Sequence, residues 1–141
     1  MAYAPKSLTA SKTLTASDAE TTLVVNAAAG LTLTLPAASG SGYSYRIVIG
    51  TTVTSNDVIV QVANADDVMT GLAVSAADGG NSVNGWETAA TSDTITLDGS
   101  TTGGILGDMI ELIDCAANTW AVQIRSSSTG TEATPFSAAV S

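Results

Sequence analysis

The chain contains no histidine, and its only basic residues are Lys6, Lys12, Arg46 and Arg125. The side chain that most often acts as a general base near neutral pH is therefore missing, along with the commonest metal ligand. A serine-hydrolase triad lacks its base, and residues 99–107 do not match the phosphate-binding loop pattern, which needs a lysine after its last glycine. Thirteen acidic residues leave a net charge of −9, which deprives phosphate-backbone or anionic-membrane binding of its main attractive term. Nucleic acid and membranes are not expected partners. Cys115 is alone, which rules out an internal disulfide and leaves stability to packing or assembly. Aromatic residues make up 4%, too few for a sugar-stacking platform beside a carboxylate pair. No apolar run reaches the length of a bilayer span, and no charged segment followed by an apolar run opens the chain. A soluble product made in the cytoplasm is expected, with no catalytic site and no cofactor.

Val, Ile, Leu and Ala dominate the apolar 45% of the chain, and Thr, Ser and Gly dominate the rest, a composition that favours short strands and turns. Residues 93–125 carry the clearest pattern. Ile95 and Leu97 alternate with Thr94, Thr96 and Asp98, and Trp120, Val122 and Ile124 alternate with Ala121, Gln123 and Arg125. Each set has the two-residue period of a strand with one buried face. Residues 109–113 are apolar except at Glu111, as expected of a central strand or one covered on both sides. Residues 114–118 form a hairpin loop whose acidic and amide side chains can bond their own backbone. These three strands are read as the centre of a sheet that the rest of the chain extends.

Further strands are expected at residues 20–26, 31–35, 43–49, 58–63 and 68–74, with a short one from Trp86 to Ala90. Pro36 closes the second of these because it cannot donate to a ladder. Tyr43, Tyr45, Ile47 and Ile49 share one face, with Arg46 on the other. Residues 75–85 read as the longest loop, and no internal repeat stands out. Strands about every ten residues, separated by turn signals, predict an all-β fold: an antiparallel β-sandwich or a jelly-roll-like barrel. The length suits one domain, divided into an N-terminal arm (1–17), a β-domain (18–130) and a C-terminal tail (131–141). Asp66, Asp67, Asp93, Asp98, Asp108 and Asp114 provide oxygen ligands of the kind calcium takes, but none stands in the order of a calcium loop, and aspartate is a common turn residue.

Several phrases resemble small structural proteins of tailed phages. They are Leu31-Thr32-Leu33-Thr34-Leu35-Pro36, the Gly-Tyr-x-Tyr strand that follows, Ile95-Thr96-Leu97-Asp98-Gly99 and Gly107-Asp108-Met109-Ile110-Glu111-Leu112. With Asn118-Thr119-Trp120-Ala121-Val122 and Ala133-Thr134-Pro135-Phe136-Ser137, the chain is most similar to capsid decoration, or cement, proteins over residues 31–137. The resemblance implies a compact β-domain, commonly trimeric, on the outer surface of the expanded head of the virion. There it would bridge copies of the major capsid protein without a cofactor. An arm that contacts the shell or a neighbouring subunit is typical, and Ala2, Tyr3, Ala4, Pro5, Lys6 and Lys12 hold that position here. Phe136, the only phenylalanine, stands beside Pro135 in a tail of small residues and is a candidate anchor into a groove. Similar phrases occur in phage tail-fibre domains, so a tail or fibre-associated β-domain binding host surface glycans is the second reading.

Overall fold

Alternating apolar side chains build one buried layer between two β-sheets in the computed structural model, which describes residues 4–140. The strands are β1 (Lys6–Leu8), β2 (Lys12–Thr13), β3 (Thr22–Val25), β4 (Leu31–Thr34), β5 (Ser44–Ile49) and β6 (Val58–Gln61). They continue with β7 (Val68–Ala77), β8 (Ser82–Glu87), β9 (Thr94–Leu97), β10 (Met109–Ala116), β11 (Thr119–Ser128) and β12 (Phe136–Ser137). The larger sheet has the order β1-β3-β5-β10-β11-β7-β8, and the smaller has β12-β9-β6-β4-β2. Leu31, Leu33, Val58, Val60, Ile95 and Leu97 line the inner face of the smaller sheet. Tyr45, Ile47, Ile110, Leu112, Trp120, Val122 and Ile124 line that of the larger. The period of two seen in the sequence is the period of this packing.

The molecule is thus an all-β sandwich, with free edges on both sheets rather than the closure of a jelly-roll-like barrel. The antiparallel arrangement expected from the sequence is corrected to a mixed one. β1, β3 and β5 run parallel, as do β2, β4 and β6, and β7 lies parallel to β11. The cause lies in the connections. From β1 to β6 each one crosses from one sheet to the other, so β3, β4, β5 and β6 each return beside the second predecessor, pointing the same way, whereas β7 crosses back to lie beside β11. Only β7–β8 and β10–β11 are hairpins, with consecutive strands side by side. For the same reason residues 93–125 do not build one sheet: β9 belongs to the smaller sheet and β10 and β11 to the larger.

At the N-terminus, the segment read as an arm adds an edge strand to each sheet, and Leu8 and Leu14 enter the core. At the other end, β12 pairs with β9, and Phe136 packs into the core of its own domain. The stretch read as the longest loop, residues 75–85, is instead the end of β7, a turn and most of β8.

Candidate functional site

Lys6 and Lys12, twelve and six residues before Asp18, meet on its buried carboxylate, and Lys6 also donates to the Ser17 carbonyl. Asp18 Oδ1 accepts from Lys12 Nζ at 2.8 Å and from Lys6 Nζ at 3.2 Å, while Oδ2 accepts the Thr15 N–H at 2.9 Å. The Asp18 side chain is fully buried and both lysines are partly exposed. The cluster ties the β1 edge of one sheet to the β2 edge of the other, and it engages two of the four cations of the chain on one carboxylate. Ala4 and Pro5 lie exposed beside it. Ala2 and Tyr3 lie outside the described residues. Pro135 and Phe136 are buried at the β12 edge, across the smaller sheet from β2. The sequence-derived interaction residues are therefore split among three sheet edges.

Burial pushes the Asp18 carboxyl up, but the hydrogen bonds from Lys12, the Thr15 N–H and Lys6 outweigh it and hold the group down to about 2. A carboxyl depressed in the folded state adds stability above its unfolded value of 3.8 and loses it as the pH falls toward 2. Asp98 and Asp114 act in the same direction, because hydroxyl and backbone donors outweigh their burial. Asp108 acts against them: burial raises it despite N–H bonds from Ile105, Gly104 and Ser127. Urea midpoints are expected to fall between about pH 4 and pH 2, and Asp18→Asn to flatten that fall. An unchanged slope in the variant would remove Asp18 from the account.

The other aspartates of the sequence pattern serve the loops. Asp114 accepts from the Gly40 N–H at 2.7 Å and the Ser39 N–H at 3.0 Å, joining the end of β10 to the β4–β5 connection. Asp108 accepts from the N–H groups of Gly104, Ile105 and Ser127, and Asp93 from those of Ala139 and Val140. Asp67 Oδ2 accepts the Ala38 N–H at 2.9 Å. These carboxylates satisfy backbone donors that would otherwise be buried without partners. Among the described residues, no group of three or more His, Cys, Asp or Glu is placed to hold a metal ion.

What the fold leaves open is the outer face of the larger sheet. Side chains of one strand parity align there across the ladder: Arg46, Glu111, Gln123, Leu72 and Glu87 in one row, and Val48, Met109, Arg125 and Val74 in the next. Leu72 (43%), Val74 (42%), Val83 (65%) and Ile113 (43%) are large apolar side chains left exposed on this face. Both arginines stand among them, and Arg46 Nε lies 4.0 Å from Glu111 Oε1. A shallow hollow of 370 Å³ between Glu20, Thr22, Ser44, Arg46, Glu111 and Ile113 opens at the β3–β5–β10 side. A smaller one of 290 Å³ lies by Thr70, Ala121 and Gln123. The face mixes exposed apolar side chains with a near balance of opposite charges on a strongly acidic domain, which suits contact with another macromolecular surface.

Sequence reasoning missed this surface although its signal was present. The apolar positions of residues 109–113 on both strand faces were read as a central strand or one covered on both sides; β10 is central in its sheet, but only one of its faces is covered. Comparison with protein-family models, curated proteins and solved structures finds no match to this chain.

Proposed function

We propose that the chain is a capsid decoration protein of a tailed phage. It binds the outer surface of the expanded head as a trimer at three-fold positions and stabilises the lattice of the major capsid protein. The observation that carries this reading is the open sheet face with its exposed apolar side chains on an acidic β-sandwich, together with the phage-like phrases along residues 31–137. Such a face favours protein contact over chemistry. The mechanism is linkage: a ligand that binds only the expanded lattice stabilises it by about 2.7 kcal/mol per site at a free concentration one hundred times its dissociation constant. Several chains at one site add avidity.

Co-sedimentation with expanded heads lacking the protein, and with unexpanded procapsids, tests the reading. Saturable binding to expanded heads alone, in multiples of three copies, is the expected result. Replacing Leu72 and Ile113 together with serine should weaken that binding about tenfold or more, because apolar side chains at a contact centre carry much of the affinity. Binding to neither shell would overturn the proposal and direct the search to glycan arrays, where the tail or fibre reading predicts a signal.

A further inference from the structure

The sandwich has four sheet edges, and they are not alike. β1 is 3 residues long, follows Pro5 and begins with Lys6. β2 is 2 residues long and contains Lys12. β12 is also 2 residues long and follows Pro135. Short strands, lysine and proline are the devices that stop an edge from pairing with another chain. β8 has none of them. It runs for 6 residues, Ser-Val-Asn-Gly-Trp-Glu, at the outer margin of the larger sheet, with no lysine or proline and an uninterrupted register against β7.

The ladder fixes which backbone groups are free. The Thr88 N–H donates to the Gly71 carbonyl at 3.0 Å, so the residues of β8 with the parity of Thr88 turn their backbone groups toward β7. In an antiparallel pair these positions alternate. Val83, Gly85 and Glu87 therefore direct their N–H and C=O groups away from the domain.

We propose that β8 is a self-pairing edge, which joins two copies of this chain antiparallel across a two-fold axis at Gly85. In this register Gly85 faces its own copy with no side chain between the backbones, and Val83 faces Glu87 of the other chain. No like charges stand opposite one another. The two Glu87 carboxylates lie four strand positions apart, about 13 Å at the usual rise, beyond the screening length of about 8 Å at physiological ionic strength. On the inner side, Asn84 of each chain falls beside the half-buried Trp86 of the other. The same patch meets itself, so the contact closes in pairs. It is independent of the decoration reading: within a shell it would link neighbouring clusters, and in solution it needs no shell.

The test is the mass of the free protein by sedimentation velocity and native mass spectrometry, at concentrations up to about 1 mM, the weak end of specific association. Two variants separate pairing from folding. Gly85→Lys sets like charges face to face at the axis, and a Cβ at Gly85 meets nothing closer than the Ala73 carbonyl oxygen at 3.7 Å. Val83→Pro removes an N–H that β7 does not use. The expected result is an even-numbered species for the unaltered protein, with its mass halved in both variants at an unchanged thermal midpoint. A monomer or a trimer throughout the range, or an even-numbered species whose mass neither variant lowers, would overturn the proposal. Because no head particle enters the experiment, its failure leaves the decoration reading to its own test.

Discussion

Gly99→Ala will cost about 4 kcal/mol or more, a loss at the severe end for single substitutions. Gly99 has a φ of +89°, a conformation that side chains resist by about 1–2 kcal/mol. Its surroundings add a second cost. A Cβ there would overlap the Val53 carbonyl oxygen, a backbone atom that cannot rotate away. The Val53 N–H donates to the Gly104 carbonyl at 2.9 Å, and the Gly99 N–H donates to the Gly103 carbonyl at 2.6 Å. Making room would therefore pull the β9–β10 loop off the β5–β6 connection. Gly42 is the control: its φ is +78°, but a Cβ there meets nothing within 4 Å. Gly42→Ala should lose only the conformational part, about 1–2 kcal/mol. Urea unfolding of both variants measures the difference, and equal losses would show that the Val53 contact yields without cost.

That loop also shows how far the sequence could be read. Asp98-Gly99 announced a turn, and the aspartate does organise it, accepting the Ser100 N–H at 2.8 Å. The partner of the turn was not legible, because Val53 stands forty-six residues earlier in a polar stretch with no pattern of its own. Strand positions were legible wherever one face is buried and the other wet, as in β4, β5, β9 and β11. Direction was not. Residues 27–30 look like a hairpin turn, yet they carry the chain from β3 in one sheet to β4 in the other. Turn residues supply the bend in either case, and alternation is the same whether the next strand lies beside its predecessor or across the core from it.

The candidate site was less legible than the fold. A strand was expected only from Trp86 onward, and the first four residues of β8 escaped notice because nothing broad covers them: the inward neighbours of β8 on β7 are Ala73, Ser75 and Ala77, too small to demand a strongly apolar partner strand. Asp-Gly-Gly-Asn at the tip and Asn-Gly in the strand then made residues 75–85 look like a loop. Lys6 and Lys12 were singled out by position, and their shared partner, Asp18, fell just past the boundary drawn for the arm.

Trp120→Ala should cost about 3–5 kcal/mol, the usual range for emptying a buried tryptophan site. Trp120 is the largest fully buried side chain in the molecule as described, on a strand flanked by β10 and β7. Its ring meets Tyr45 edge to face with centroids 5.7 Å apart, a geometry worth about 0.5–1.5 kcal/mol beyond the area buried. Trp120→Phe should lose markedly less, roughly half as much, because it keeps an aromatic ring against Tyr45. It also forfeits no hydrogen bond to protein, since Nε1 has no acceptor among the described residues. A phenylalanine variant as damaged as the alanine one would mean that the indole N–H, through a bound water, carries the difference. Trp120→Phe has a further use: it leaves Trp86 as the only indole in the chain, on the inner side of β8. Its fluorescence then reports on the edge strand alone, and a concentration-dependent shift that Gly85→Lys abolishes would connect the core variant to the pairing of two copies.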